Sequence, residues 1–228
     1  MNVWPWPDAG PTRAEVTFLI ADLSGFTALT ETHGGLHAAA VVRRYLELVR
    51  ASLYGGARLL ERVGDSVLIA AIEPADAVRT AIALRRATEA EPRFPPVRQG
   101  VHGGGVMQWD GSYFGTPLNL TARLADHAGP GQILCTERVA AAAVDLGPST
   151  FRSVGAVSLK NIREPVFLLE VVVPESQIDP ETLDPVCWMR VDRATAPARL
   201  TFGSRRYHFC SEGCAATFAE RHRAGTPA

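Results

Sequence analysis

The sequence predicts an α+β fold, a mainly antiparallel sheet with helices packed on it, followed by a small module that contains cysteines. Between Glu15 and Val173, strand-length apolar runs alternate with segments of helical periodicity, and two of the runs are joined by a hairpin-type turn. Three of the 4 cysteines then fall near the C-terminus. Strands that alternate with helices and include hairpins typically build a layered α+β domain. We therefore expect a ferredoxin-like domain whose helices cover one face of the sheet.

The individual elements follow in chain order. EVTFLIADL is typical of a buried strand that ends at Asp22, and AAAVVRRYLELVRASL has apolar positions at helical spacing. ARLLERVGDSVLIAA predicts two strands around a turn at Gly64 and Asp65, and EPADAVRTAIALRRATEAE predicts a helix with Pro74 near its start. The domain is completed by a glycine-rich strand (PVRQGVHGGGVMQW), a helix (TPLNLTARLADHA), a strand (QILCTE) and a closing hairpin (SLKNIREPVFLLEVVV).

The segment PESQIDPETLDP separates this domain from the cysteine module. It is acidic, contains three prolines and lacks periodicity, which is typical of a linker. The predicted parts of the chain are an N-terminal tail (1–13), a core domain (14–173), a linker (174–182), a cysteine module (183–221) and a C-terminal tail (222–228).

The composition indicates a globular protein with no basic surface for a polyanion. Lys and Arg number 23 against 24 Asp and Glu, and 46% of the residues are hydrophobic. Nothing in the net charge of -1 indicates a sheath of basic residues for nucleic acid or anionic lipid, so any anionic ligand must be bound locally. The apolar runs are far shorter than the ~20 residues of a membrane-spanning helix, and the N-terminus has no signal-peptide pattern. We therefore expect a cytoplasmic protein with neither a nucleic acid nor a membrane as partner.

Two acidic residues lie where predicted strands give way to turns. Asp22 precedes a turn that contains glycine, and Asp65 lies in the turn of the first hairpin. If the strands are neighbours, both carboxylates project from one end of the sheet, where they repel unless a cation lies between them. Such a pair suits Mg²⁺, and backbone N–H groups near Gly25 and Phe26 would lie at a helix start that favours phosphate. Taken singly, Asp22 could be a helix cap and Asp65 an ordinary turn acid.

Three motifs in order resemble the catalytic domain of the class III adenylate and guanylate cyclases over about residues 14–173. FLIADLSGFTALTE is similar to the first metal motif of that family and RVGDSVLIA to the second. The resemblance implies that Asp22 and Asp65 bind two Mg²⁺ or Mn²⁺ ions. YFGTPLNLTARLADHAGPGQILCTE is similar to the run whose Asn and Arg stabilise the transition state, which implies that Asn119 and Arg123 are catalytic.

The resemblance also implies a reaction and an assembly. The family converts a purine nucleoside triphosphate to the 3′,5′-cyclic monophosphate and pyrophosphate, by attack of the ribose 3′-oxygen on the α-phosphorus. Its site lies between two catalytic domains, which contribute the metal acids and the Asn–Arg pair respectively. A chain with one copy of each implies a homodimer with two composite sites. The family can also place a phosphate-contacting lysine in the region of Lys160.

Two positions contact the purine in this family, and in this chain one of them indicates guanine whereas the other indicates adenine. Before the second metal motif, adenylate cyclases usually carry Lys and guanylate cyclases Glu, and this chain has Glu61. Before YFG, adenylate cyclases often have Asp, or Ser or Thr in a subclass, whereas guanylate cyclases have Cys, and this chain has Ser112. A carboxylate accepts hydrogen bonds from the N1–H and N2–H of guanine, so Glu61 favours GTP, while Ser112 fits an adenylate type. Two alternatives remain: Arg62 could face the site in place of Glu61, or Glu61 could be a solvent-facing strand residue.

The C-terminal segment contains three cysteines: Cys187, Cys210 and Cys214. Two cysteines at i and i+4 share one face of a helix, and a third from a preceding turn completes a thiolate cluster suited to Zn²⁺, Cu⁺ or another soft ion. DPVCWMRVD and the later FGSRRYHFCSEGCAATFAERH resemble the YHS domain, which is related to the TRASH metal-sensing modules. The resemblance covers about residues 183–221 and implies a heavy-metal site. Trp188 departs from it, because the family usually has Gly there.

Two hypotheses from different classes follow. The first is a nucleotidyl cyclase that acts on ATP or GTP and is regulated by heavy metal through the C-terminal module. The second is a non-catalytic, metal-responsive regulator whose degenerate cyclase-like domain only dimerises or binds nucleotide. The presence of Asp22, Asp65, Asn119 and Arg123 favours the first hypothesis. The conflict between the two purine-contacting positions favours the second.

Overall fold

The computed structural model describes residues 10–146, 150–174 and 178–223. Within the first range, it describes the backbone of Val144 but not its side chain. The predicted tails and the predicted linker therefore lie partly outside the described residues. The strands are β1 (Thr12–Leu23), β2 (Arg58–Val63), β3 (Ser66–Ala71), β4 (Val97–Trp109), β5 (Ser112–Phe114), β6 (Ile133–Thr136), β7 (Phe151–Val157), β8 (Val166–Val171), β9 (Ala198–Phe202) and β10 (Arg205–Phe209). The helices are α1 (Phe26–His33), α2 (Gly35–Ser52), α3 (Pro74–Ala90), α4 (Thr116–His127), α5 (Glu137–Ala142) and α6 (Glu212–Arg223).

The larger domain is organised by an eight-stranded sheet. Its strand order is β2-β3-β1-β4-β6-β8-β7, and β5 pairs with β4 at the side of this path. Every pairing in it is antiparallel except that of β4 with β6. In the β1–β3 pairing Asp22 lies opposite Ser66. The register therefore brings the end of β1 beside the β2–β3 turn that contains Asp65.

Helices cover both faces of this sheet. Leu19 and Ala21 of β1 belong to the main core, together with residues of α2 and α3, whereas Phe18 packs in a second cluster with Leu118 of α4. Successive side chains of a strand point to opposite faces, so α4 lies on the face away from α2 and α3. The prediction of a mainly antiparallel sheet with helices packed on it is confirmed, but the expectation that they cover one face is wrong.

Glycines of β4 explain why α4 fits on the second face. A Cβ atom at Gly100 would overlap the backbone nitrogen of Ala125 and lie 2.6 Å from the carbonyl oxygen of Thr121. At Gly104 a Cβ atom would lie 2.9 Å from Cγ of Pro117. The backbone of α4 thus packs directly on the strand, where any larger residue would displace it. This contact fixes the helix that carries the predicted catalytic pair.

The C-terminal module consists of a segment that contains Asp184, Cys187 and Arg190, then the β9–β10 hairpin, and finally α6, which packs against α1. Its buried apolar residues join the main core of the larger domain. Arg190 anchors the module, because its guanidinium donates hydrogen bonds to the carbonyl oxygens of Glu89, of Thr88 at 2.6 Å and of Glu91 at 2.5 Å. These carbonyls lie at the end of α3, where a helix leaves its last acceptors without intrahelical partners. Among the described residues, no helix combines the length and apolar character needed to cross a membrane.

Candidate active site and metal centre

The two predicted metal acids lie beside each other at the end of β1. The carboxylate of Asp22 accepts two hydrogen bonds from Arg98 on β4, from Nε at 2.8 Å and from Nη2 at 2.6 Å. Asp65 follows Gly64, whose φ of 61° makes the tight turn between β2 and β3. Burial, and next the charge of Asp22, raise the pKa of Asp65 to about 6. Two neighbouring carboxylates that resist joint ionisation form a site that a divalent cation would stabilise.

Two buried hydroxyl groups lie close to these acids in the fold. Tyr45 of α2 is fully buried, and neither its hydroxyl nor that of Ser24 has a hydrogen-bond partner within the described part of the chain. Burial, followed by the charges of Asp22 and Asp65, raises the pKa of Tyr45 well above its usual value. Buried polar groups normally find partners, so these hydroxyls leave hydrogen-bonding capacity open beside the carboxylates.

Gly25 shapes the turn between Asp22 and α1. Its φ of 72° lies in the left-handed region, and α1 begins at the next residue, Phe26. A Cβ atom at Gly25 would overlap Cδ1 of Trp188 and lie 3.2 Å from the carbonyl oxygen of Cys187. The turn therefore needs glycine for its backbone conformation and also because the C-terminal module lies against it.

Glu61 and Asn119 line one cleft of about 220 Å³ between the β2–β3 hairpin and α4. Arg62 lies on the other side of the hairpin, where its Nη1 donates to the carbonyl of Gly64 at 3.0 Å and its side chain lines a groove with Phe26. Of these two neighbours, Glu61 therefore shares a cleft with the predicted catalytic asparagine and Arg62 does not.

The remaining predicted residues lie on three separate segments. Arg123 is one turn beyond Asn119 on α4 and pairs with Asp126 at 3.0 Å. Ser112 is exposed on β5, opposite Trp109. Lys160 is exposed in the turn that follows β7. Within one chain, the structure thus brings Asp22 to Asp65 and Glu61 to Asn119, with Arg123 on the same helix as Asn119, whereas Ser112 and Lys160 each lie on a separate segment.

The three C-terminal cysteines form a compact cluster. The sulfur atoms of Cys187 and Cys210 are 3.4 Å apart, and Cys214 lies 3.6 and 3.7 Å from them. A disulfide bond has a sulfur separation of about 2.05 Å, so these are free thiols. Hydrogen bonds from Cys187 and then Cys210 lower the pKa of Cys214, which favours its thiolate form.

A histidine from the larger domain joins the cluster. The Nε2 atom of His33, the last residue of α1, lies 3.3 Å from Sγ of Cys210 and 3.5 Å from Sγ of Cys214. The ligand atoms of all four residues lie within 4.8 Å of one another. The spacing in the sequence indicates the three cysteines as ligands, but it gives no indication of His33.

The chain is similar to cyclases in sequence and structure. An uncharacterised protein of Mycobacterium tuberculosis is 34% identical over 166 residues, which are 71% of this chain and 43% of that protein. A pH-sensitive adenylate cyclase of the same species is 29% identical over 164 residues, 71% of this chain and 41% of that protein. The solved structure of an adenylate/guanylate cyclase/hydrolase from Silicibacter pomeroyi has a TM-score of 0.62 and 26% identity, over 72% of this chain and 99% of that one. No family profile matches the chain.

The similarity to the named adenylate cyclase and to the solved cyclase structure supports a class III adenylate/guanylate cyclase catalytic domain, and the larger domain has the cyclase fold. The chain spans less than half the length of these two curated relatives, 43% and 41%. For the C-terminal module, the structure contains the cysteine and histidine cluster. Its resemblance to the YHS domain stays a prediction.

Proposed function

We propose that the larger domain is a nucleotidyl cyclase that converts a purine nucleoside triphosphate to its 3′,5′-cyclic monophosphate and pyrophosphate. The observation that carries this proposal is the adjacent pair Asp22 and Asp65, in which burial and the neighbouring charge raise the pKa of Asp65 to about 6. Catalytic groups are often found where the fold perturbs a pKa in this way. The similarity to a named adenylate cyclase supports the same activity.

The carboxylate oxygens of Asp22 and Asp65 fit two Mg²⁺ or Mn²⁺ ions, which prefer hard oxygen ligands. Bound there, the ions would activate the ribose 3′-oxygen and neutralise the charge of the leaving pyrophosphate. Arg98 holds the Asp22 carboxylate by two N–H donors and so keeps it oriented. Backbone N–H groups at the start of α1 are positioned to donate to phosphate oxygens, because Gly25 turns the chain there.

Asn119 and Arg123 would stabilise the charge that grows at the α-phosphorus. They are four residues apart on α4 and so share one face of that helix. The ion pair of Arg123 with Asp126 is solvent-exposed, and exposed pairs are weak, so the guanidinium is free to exchange Asp126 for a phosphate. We propose that Asn119 and Arg123 of one chain and the carboxylates of Asp22 and Asp65 of a second copy bind the same nucleotide, in a homodimer with two composite sites.

Glu61 is the proposed contact to the purine. It lines the cleft that also contains Asn119, on the side of the hairpin opposite Arg62. A carboxylate there accepts the N–H donors of guanine, whereas the hydroxyl of Ser112 and the similarity to a named adenylate cyclase favour ATP. The base is therefore the part of the proposal that an experiment must decide.

A product assay tests the activity and the base together. The purified chain is incubated with ATP or GTP and Mn²⁺, and we expect cyclic nucleotide and pyrophosphate in equal amounts. Glu61→Lys should shift the ratio of cyclic products towards cyclic AMP, since Lys donates to the N1 acceptor of adenine. Arg62→Gln is the matched control and should leave that ratio unchanged. Nucleotide that binds in equilibrium dialysis but is never turned over would contradict the proposal and favour the non-catalytic regulator.

A further inference from the structure

The cluster of three cysteines and a histidine has the spacing of a tetrahedral zinc site. Zinc bonds of about 2.3 Å to sulfur and about 2.0–2.1 Å to nitrogen give a tetrahedron with edges of about 3.5–3.8 Å. The sulfur atoms of the three cysteines are 3.4, 3.6 and 3.7 Å apart, and Nε2 of His33 is 3.3 and 3.5 Å from two of them. Five of the six edges thus lie within a few tenths of an ångström of a zinc tetrahedron, and the sixth, between Nε2 of His33 and Sγ of Cys187, is at most 4.8 Å.

The cysteine ligands are held in place by a buried acid. Asp184 is fully buried, and its carboxylate accepts hydrogen bonds from the backbone N–H groups of Val186 at 2.8 Å, Cys187 at 3.3 Å and Cys210 at 2.8 Å. It therefore joins the loop of the first cysteine to the loop of the second. Outer groups of this kind orient metal ligands and raise affinity, so the site is organised before an ion arrives.

The C-terminal module contacts α1 at both of its ends. His33 ends the helix and reaches the cysteines, although it is 177 residues away from Cys210 in the sequence. At the other end, Trp188 lies against Gly25, directly before the first residue of the helix. Trp188 itself has a φ of 61°, which is unusual for a bulky residue and indicates that the surrounding structure holds it there. A metal ion in the cluster would therefore restrain the helix that begins just after Asp22.

We propose that Cys187, Cys210, Cys214 and His33 form a zinc site shared between the module and the larger domain, and that zinc binding restrains α1 and the Gly25 turn. Three thiolates and one imidazole in a tetrahedral arrangement are a typical structural zinc set, whereas soft thiolates alone would suit Cu⁺. The zinc site and its restraint of α1 are both independent of the proposed cyclase activity.

Zinc titration of the full chain, after its metal is removed with a chelator, tests the fourth ligand. We expect one zinc ion per chain, and His33→Ala should weaken zinc affinity by at least about 10- to 100-fold, the loss seen when even an outer-shell partner of a site is removed. His37→Ala is the matched control, because His37 is exposed and its ring lies 5.1 Å from that of His33. His33→Cys should restore tight binding by supplying a fourth thiolate. Wild-type zinc affinity in His33→Ala would overturn the proposal.

Hydrogen exchange tests whether the ion restrains α1. In the absence of nucleotide, zinc should slow amide exchange in residues 24–33 of the wild type and of His37→Ala, and should have no such effect in His33→Ala. If zinc does not change amide exchange in this segment of the wild type, the proposed restraint of α1 is refuted. A chain that binds zinc through His33 but makes no cyclic nucleotide would refute the proposed function and leave the zinc site standing.

Discussion

Replacing Gly25 by alanine tests the contact between the C-terminal module and the turn that follows Asp22. Gly25 has a φ of 72°, where a residue with a Cβ atom costs about 1–2 kcal/mol. The new Cβ atom would also overlap the ring of Trp188, and overpacking of this kind costs about 1–3 kcal/mol. Together, Gly25→Ala should lower the free energy of unfolding by about 2–5 kcal/mol, measured by urea denaturation at a fixed zinc concentration.

Gly64 provides a matched control for this measurement. Its φ is 61°, and apart from Gly64 and its two chain neighbours no described atom lies within 4 Å of the position that a Cβ atom would take. Gly64→Ala should therefore show only the backbone cost of about 1–2 kcal/mol. In a Trp188→Gly background, the cost of Gly25→Ala should fall close to that value, because only the 3.2 Å approach to the carbonyl oxygen of Cys187 remains. If Gly25→Ala costs no more than Gly64→Ala, or costs the same with and without Trp188, the contact is refuted.

Three further outcomes are expected. Gly100→Ala should push α4 from the sheet, which should lower the free energy of unfolding by about 1–3 kcal/mol and reduce turnover. An unchanged midpoint of urea denaturation would contradict the close packing of α4 on β4. Arg190→Met should lower the free energy of unfolding by about 2–4 kcal/mol in the same assay, because the carbonyls at the end of α3 lose a charged donor. No change in this free energy would show that Arg190 does not anchor the module. Burial, with a smaller contribution from Arg138, lowers the pKa of His102 to about 4, so the folded state binds fewer protons than the unfolded state below about pH 6.5. The free energy of unfolding should then fall as the pH drops from 6.5 to 4. His102→Gln should reduce that fall by about 1–2 kcal/mol, a value discounted because His102 is partly exposed. Identical pH profiles for the wild type and the variant would contradict the lowered pKa of His102.

Much of the fold could be predicted because periodicity reports burial directly. The strand that ends near Asp22 and the hairpin at Gly64 and Asp65 lie where their apolar patterns predict them. The face of the sheet that α4 covers could not be predicted in this way. Gly100 and Gly104 indicate only a weak strand in the sequence, and the packed structure reveals that they make room for a helix backbone.

The candidate sites divide in the same way. The proximity of Asp22 to Asp65 follows from two strand ends and one antiparallel register, so the sequence was sufficient to suggest it. The bonds from Arg98 to Asp22 depend on which residue of β4 lies opposite, which only the register determines. His33 is a single histidine at the end of a helix and has no motif of its own. The three cysteines are the only indication of this fourth ligand in the sequence, because a tetrahedral site with three cysteines needs one more ligand from elsewhere in the chain.

A complementation assay tests most directly whether a composite cyclase site exists. Asp22→Ala removes a carboxylate and Arg123→Ala removes the guanidinium, so each variant alone should make no cyclic nucleotide. When equal amounts are mixed and allowed to exchange subunits, about half of the dimers contain one copy of each variant and one intact site. We therefore expect about a quarter of the wild-type turnover to return. Activity in either variant alone, or no recovery once subunit exchange has been verified, would contradict the proposed site.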